Sequence, residues 1–303
     1  MTCRNHNEGC GVAPEPTRVL VADPCGRPLP DFAIAAGRAG GLGIVDAASP
    51  AEVTSLQAAL AARGVSRWWL RAGAGLDPAG LDVAAPWPST VVLSAANADL
   101  GSLRTAIGAW STITPEVVVQ VVSRTEARLA AEAGAYGLIA SGSEAGGRIG
   151  ETEAFILFQQ LADIGLPVWV RGGIGLHTAA AAIAGGAAGV VLDAQLSLVR
   201  EAKLDPELQQ ASRAADGSET RVVGGHRFYT RPDLPAASGP AETGAADIAS
   251  CLGPDLRTQL VPLGQDCGFA SGLATRVATV GGVVQAIQAV IDDPRAAAAE
   301  NRP

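Results

Sequence analysis

The sequence predicts an α/β fold of the TIM (β/α)8 barrel class, with a C-terminal insertion or lid and terminal helices. Three observations carry the prediction. Short β-branched runs alternate with longer Ala-rich stretches from Val19 to about Val199, the mark of repeated βα units around a parallel sheet. Eight such runs can be counted, where an open doubly wound sheet would show about five or six. The composition, 48% hydrophobic but 4% aromatic, draws its apolar residues mainly from Ala, Val and Leu, which suits strands buried on both faces and helices packed through alanine. A chain of 303 residues is long enough to hold such a barrel as one large domain.

The strands are placed at Val19–Ala22, Leu42–Val45, Arg67–Arg71, Thr90–Leu93, Val117–Val122, Gly137–Ala140, Val168–Arg171 and Gly189–Leu192. Helices fit between them at Pro30–Ala39, Pro50–Arg63, Leu100–Trp110, Arg124–Ala133, Thr152–Ile164 and His177–Gly185. The link Ala72–Ser89 lacks a helical pattern. After Leu198 the texture changes: Lys203–Pro240 mixes charge, Gly and Pro around a hairpin at Thr220–Thr230 and reads as an insertion over the barrel. Helices at Ala241–Leu252 and Gly282–Asp292 follow. The parse is a flexible tail over 1–16, a barrel over 17–292 that includes a lid segment 203–262, and a linker-like tail over 293–303 that hints at excision from a longer polypeptide.

With 22 Lys+Arg against 30 Asp+Glu, the net charge of −8 offers no electrostatic footprint for nucleic acid or an anionic membrane. A small or carrier-bound substrate is the better expectation. The longest apolar run, Ala179–Leu192, is interrupted by Gly185, Gly186 and Gly189 and falls short of the roughly 20 residues that span a bilayer. The N-terminus lacks the apolar core of a secretory signal, so a cytoplasmic location is expected. Cys3, Cys10, Cys25, Cys251 and Cys267 form no CxxC pair, and reduced thiols are expected. Cys3, His6 and Cys10 make a poor metal set, three ligands in a tail, and no metal is predicted.

In this fold the residues just after each strand build the active site. Ser141–Gly150 after the sixth strand, Gly172–Gly173 after the seventh and Asp193-Ala194-Gln195 after the eighth stand out. The phosphate site of the fold uses the last two tips plus a helix N-terminus, where unpaired N–H groups meet a dianion. Glycines at 172 and 173 would let the backbone come close, or would simply make a tight turn.

The runs Ala22-Asp-Pro-Cys-Gly-Arg-Pro-Leu-Pro30, Ala39-Gly-Gly-Leu-Gly43, Ser123–Gly134, Glu144-Ala-Gly-Gly-Arg-Ile-Gly150 and Arg171-Gly-Gly-Ile-Gly175 resemble those of nitronate monooxygenases (2-nitropropane dioxygenases). They also resemble the flavin-dependent enoyl-acyl-carrier-protein reductases that share that barrel, and Gly264-Gln265 to Gly268 is similar to the family's closing segment. The segments Gly172–Thr178, Val190–Leu196 and Val277–Val283 look like barrel domains of polyketide and polyunsaturated fatty acid synthases. The resemblance, over about Thr17–Asp292, implies FMN as cofactor and an acyl carrier protein and other synthase domains as partners, with a homodimer possible. It implies cofactor contacts from Ala22, Pro24, Gln120, Gly142, Glu144, Gly146, Gly147, Arg171, Gly172, Gly173, Asp193, Ala194 and Gln195.

Four departures bear on the chemistry. The family's histidine after Glu-Ala-Gly-Gly is Arg148, which stays protonated and cannot act as a base, though it could hold an anion, stabilise an enolate or be structural. The usual Ala-Pro-Met is Ala22-Asp23-Pro24, so Asp23 is either a replacement acid or base or the partner of Arg27 or Arg71. The third strand offers Trp68-Trp69-Leu70-Arg71 where a polar amide is usual. At the phosphate site, Gly-Thr becomes Asp193-Ala194, and Arg171 replaces a small residue. A carboxylate about 4 Å from a phosphate costs on the order of 4 kcal/mol at an effective dielectric near 20, about a thousandfold in affinity. Arg171 and Asp193 are therefore expected to pair at the rim, leaving the backbone N–H groups for phosphate.

His177 either touches a phosphate or caps the helix that it opens, and His226 either swings over the mouth or is structural. Catalytic roles are assigned to Arg148, Asp23 and His177. The function expected is an FMN-dependent oxidoreductase acting on a carrier-bound acyl group, with classical nitronate chemistry disfavoured by the missing base. The alternatives are a flavin-free docking domain of a synthase, or a non-redox lyase or decarboxylase.

Overall fold

The computed structural model describes residues 18–81, 87–96, 98–230, 248, 251–257, 259–276 and 278–295. Cys3, His6, Cys10 and residues 296–303 of the expected tail lie outside these, as does most of the helix expected at Ala241–Leu252.

Eight parallel strands close into a barrel in chain order. They are β1 (Val19–Ala22), β2 (Leu42–Ala47), β3 (Trp69–Ala72), β4 (Thr90–Ser94), β5 (Glu116–Val121), β6 (Gly137–Ser141), β8 (Val168–Arg171) and β9 (Gly189–Leu192). The closing pair is β1 with β9, in the register Leu20↔Val191. The eight-stranded barrel expectation is borne out. A two-residue strand β7 (Gly147–Arg148), which sequence reasoning missed, leaves the barrel and pairs with the hairpin β10 (Thr220–Val223)–β11 (His226–Tyr229) as a separate antiparallel sheet.

Strand alternation divides the core in two. Leu20, Ala22, Leu42, Ile44, Trp69, Val92, Val118, Ile139, Trp169 and Val191 fill the interior, while their neighbours Val19, Val21, Val91, Val190 and Leu192 face the helical layer. Trp69 and Trp169 meet edge to face inside, ring centroids 5.0 Å apart at 80°. Gly137 and Gly189 make room for the second indole: a Cβ on either would come within 2.9 and 2.7 Å of it. The barrel is a packed plug below its C-terminal mouth.

The helices form where their caps direct. α1 (Asp31–Arg38) lies so close to β2 that a Cβ at Gly43 would stand 2.2 Å from the Ala33 Cα. α2 (Pro50–Ala61) opens with a Ser49–Glu52 capping box and proline in its first turn. α3 (Leu100–Ser111) is capped by Asp99. α4 (Arg124–Ala133) starts at Ser123 and stops at Gly134, whose φ of 95° only glycine adopts cheaply. α5 (Ala154–Gln160) is shorter than the Thr152–Ile164 expected, and α6 (Leu176–Ala184) begins after Gly175. Between β3 and β4 the described residues hold only a 3-10 turn at Pro78–Gly80. α7 (Pro206–Ala214) and α8 (Ala270–Arg276) were not foreseen, and α9 (Val280–Asp292) packs against α1 and α6.

Among the described residues no helix is long and apolar enough to cross a membrane, and no group of three or more His, Cys, Asp or Glu could hold a metal.

Candidate active site at the barrel mouth

The C-terminal ends of β1–β5, β8 and β9 and the loop carrying β7 enclose a cavity of about 520 Å³, within the range of about 300–1,000 Å³ common for small-molecule sites. Of the residues named from the sequence, Asp23, Pro24, Gln120, Gly146, Gly147, Arg148, Arg171 and Asp193 line it. Ala22 lies just beneath, in the barrel interior. Gly142, Glu144, Gly172, Gly173, Ala194 and Gln195 gather behind the wall, at the tips of β6, β8 and β9.

Around the mouth each arginine meets a carboxylate. Arg27 grips Asp23 with Nη2–Oδ2 at 2.6 Å, and Asp23 also accepts the Cys25 N–H at 2.9 Å. Arg71 pairs with Asp46 at 2.5 and 2.9 Å. Arg148 is held by both oxygens of Glu126, whose carboxylate also accepts the Val122 N–H at 3.0 Å. Asp23 thus takes the ion-pair alternative, with Arg27 and not Arg71 as partner, and Arg148 is drawn toward the α4 N-terminus.

His177 is exposed and lines no part of the cavity. The α6 N-terminus is closed instead by Thr178, whose hydroxyl accepts the Gly175 N–H at 2.7 Å. His226 stands opposite Arg148 in the β7–β11 pairing, with Nδ1 3.0 Å from the Gly224 oxygen, so it is fixed in a strand and does not swing. Cys25 lines the mouth with its thiol pushed up to about 12 by burial and by Asp23, and stays protonated.

The corner behind the mouth departs from expectation. Arg171 and Asp193 do pair, with Nε–Oδ2 at 2.7 Å and Nη2–Oδ2 at 2.5 Å. They do so in the interior, 6% and 4% exposed, and not at the rim. The same guanidinium donates to the Ser141 Oγ and the Gly146 carbonyl, each at 2.8 Å. The N–H groups that this pair was expected to leave for phosphate are taken. The Asp193 N–H donates to the Gln195 Oε1 at 2.9 Å, and the Ala194 N–H to the Asp193 Oδ1 at 2.7 Å. Gln195 is fixed in turn by donating to the Ile174 carbonyl at 3.1 Å.

Two further acids complete the corner. Glu144 accepts the Ala154 N–H at 3.2 and 3.1 Å, capping α5, and its side chain lies on the Gly172–Gly173 turn. A Cβ added at those glycines would stand 3.2 and 3.1 Å from its carboxyl atoms, and both have positive φ, 106° and 62°. Burial raises its pKa. Asp266, which sequence reasoning missed, is 1% exposed and neither of its oxygens has a hydrogen-bond partner. Burial first, then the Asp193 charge, push its pKa well up, while the Gly173 N–H that faces it favours the charged form. Arg227 was also missed: it reaches from β11 to the Ser143 carbonyl at 2.7 Å and ties the hairpin to the glycine-rich loop.

An FMN phosphate needs N–H donors and no uncompensated carboxylates. Here the donors at the β9 tip are bonded to oxygens of the chain itself, and the acid side chains of Glu144, Asp193 and Asp266 crowd the β8 and β9 tips, so these residues do not fit that phosphate.

No protein-family model and no curated protein matches the chain. Among solved structures, a point variant of FabK from Thermotoga maritima is 22% identical, with 94% of this chain and 96% of that one covered and a TM-score of 0.75. The nitroalkane oxidase from Streptomyces ansochromogenes is 21% identical over 94% and 98%, TM-score 0.67. The enoyl reductase domain of MlnA, from the macrolactin biosynthesis cluster of Bacillus amyloliquefaciens, is 10% identical over 92% and 95%, TM-score 0.59. At such identities the likeness establishes the architecture, and the chain has the fold of these proteins along almost its whole length.

Proposed function

We propose that the chain is an oxidoreductase of the enoyl-acyl-carrier-protein reductase and nitronate monooxygenase type, acting at the barrel mouth on a carrier-bound acyl group of a polyketide or fatty acid synthase. One observation carries the reading: the likeness to FabK and to the MlnA enoyl reductase domain runs over more than nine-tenths of each chain, past the barrel itself, and the cavity opens at the C-terminal strand ends. The partners implied are an acyl carrier protein and neighbouring synthase domains.

The mouth favours an uncharged acyl substrate. Arg71, Arg148 and Arg171 are each neutralised by a carboxylate, which leaves little to attract an anionic group and weakens the lyase alternative. Asp23, Asp46 and Asp193 are engaged with arginines, and Glu52 accepts the Ala48 and Ser49 N–H groups at 2.7 and 3.2 Å. A nitroalkane, which must lose a proton to a base, therefore fits less well than an enoyl thioester. The residues that remain to orient such a thioester are uncharged, Ser94, Gln120 and the Cys25 thiol, all on the cavity wall. The cofactor implied by this reading is FMN, and the corner as it stands has no place for its phosphate.

The test is oxidation of a reduced nicotinamide by the full chain with added flavin, with and without a crotonyl thioester on pantetheine or on carrier protein. Thioester-dependent oxidation is expected, and none with either carrier overturns the reading. A second reading, a flavin-free docking domain of a synthase, is favoured by the neutralised arginines and the occupied N–H groups; carrier-protein binding without turnover would support it.

A further inference from the structure

At the tips of β8 and β9 the fold builds an anion site and fills it from its own chain. The site has the parts that a dianion uses: the Gly172–Gly173 turn, the N–H groups of Gly173, Asp193 and Ala194, and the approach to α6. Two of these N–H groups already donate to oxygens of the chain, Asp193 to the Gln195 amide and Ala194 to the Asp193 carboxylate, and the Asp266 carboxyl is buried in the same cluster.

The filling is held in place. Arg171 spans from Asp193 to Ser141 and to the Gly146 carbonyl, which ties the tips of β6, β8 and β9 to the β7 loop. Segment 264–268 presses on the same corner: a Cβ at Gly264 would lie 2.4 Å from the Glu144 carbonyl and 2.5 Å from the Asp266 Oδ1. A phosphate entering here would displace two short hydrogen bonds and meet the Asp193 charge. Asp266 is buried at the centre of the cluster with no partner of its own, which a corner shaped only for packing would not retain.

We propose that this corner is a self-filled anion site, in which Asp193 and Gln195 supply the oxygens that a flavin phosphate would otherwise supply and the buried Asp266 takes up the space beside them, so that the chain draws no affinity from that phosphate and binds FMN no better than riboflavin. The proposal rests on the oxidoreductase reading only for the binding of a flavin ring at the mouth.

The experiment is equilibrium dialysis of the full chain against FMN and against riboflavin, read by flavin fluorescence, for the wild type, for Arg171→Ala/Asp193→Gly and for Gln195→Ala. The double variant removes the buried pair together, so no lone charge is left inside. The expected wild-type ratio of the two dissociation constants is within about threefold of one, and the double variant is expected to prefer FMN by at least about tenfold, since the freed Ala194 N–H makes a charge-assisted bond to phosphate. If the double variant does not fold, Gln195→Ala, which frees the Asp193 N–H and keeps the ion pair, is expected to shift the ratio toward FMN by at least about threefold.

A wild type that prefers FMN a hundredfold overturns the proposal and leaves the oxidoreductase reading standing. A folded variant with no gain in FMN preference overturns it as well. Flavin bound by the variant but not by the wild type upholds the self-filled corner and overturns the oxidoreductase reading. Binding of neither flavin to any of the proteins overturns both.

Discussion

Asp266 makes the stability of this chain depend on pH in a direction opposite to the usual carboxylate. Burial and the neighbouring Asp193 charge raise its pKa, so the folded chain keeps a proton that the unfolded chain gives up near pH 3.9. The stabilisation tied to that proton is fully present below about pH 4 and is lost as pH rises toward the folded value, at up to about 1.4 kcal/mol per pH unit. At pH 7 the greatest possible loss is about 4 kcal/mol, reached if the folded acid keeps its proton throughout. Asp266→Asn removes the titration and keeps the shape. An orphaned amide and an orphaned acid cost about the same 1–3 kcal/mol to bury, so that penalty nearly cancels in the comparison. The variant is expected to match the wild type near pH 4.5 and to exceed it by about 1–4 kcal/mol at pH 7.5. Urea unfolding of both proteins at half-unit pH steps measures this, and titrating groups remote from Asp266 drop out of the difference. Two curves that stay parallel from pH 4.5 to 7.5 would refute the protonated buried acid.

Three further outcomes follow from the same structure. Arg171→Ala alone strands the buried Asp193 carboxylate and is expected to cost about 3–5 kcal/mol, most of it recovered when Asp193→Gly is added; additive losses in urea would show that the two do not act as a pair. Gly146→Ala would place a Cβ 1.9 Å from the Pro262 carbonyl, so it is expected to lower stability by at least about 2 kcal/mol and to speed limited proteolysis near Pro262; an unchanged digest counts against the close approach. Among Cys25, Cys251 and Cys267, iodoacetamide at pH 8 is expected to label Cys251 first, because burial holds the other two thiols near 12; early labelling of Cys25 would show the mouth to be wetter than its burial implies.

The barrel was legible because its signal is local. Each strand is a β-branched run, and helix starts such as Ser49–Glu52 and Ser123–Glu126 announce themselves within four residues. Boundaries shifted where tertiary packing decides: the third strand begins at Trp69 and not Arg67, because Arg67 is exposed while Trp69 must reach inward to Trp169. β7 was invisible for the opposite reason. A Gly-Arg dipeptide has no strand signature and pairs only because the hairpin at Thr220–Tyr229 arrives beside it.

The corner shows why the candidate site was harder to read than the fold. Strand-tip reasoning reaches residues that follow a strand directly, and it found Arg171 and Asp193 and their pairing. It could not weigh what comes in from elsewhere. Asp266 lies about seventy residues beyond β9 and enters through a segment that resembles a closing turn, where one acid between Gly264 and Gly268 was the only signal. Nor does sequence tell where a side-chain oxygen turns: Asp193 beside a phosphate is a repulsion of about 4 kcal/mol, whereas Asp193 accepting the Ala194 N–H removes the donor that made the site attractive. The same residue type at the same position thus argues against phosphate twice, once by charge and once by hydrogen bonding, and only the second argument needs the structure. Arg171 answers the first objection by neutralising the charge, but it cannot answer the second, since a neutralised carboxylate still accepts. An ion pair at this corner is therefore no sign of a site kept ready for phosphate; it is what makes the occupation of the site by its own chain stable.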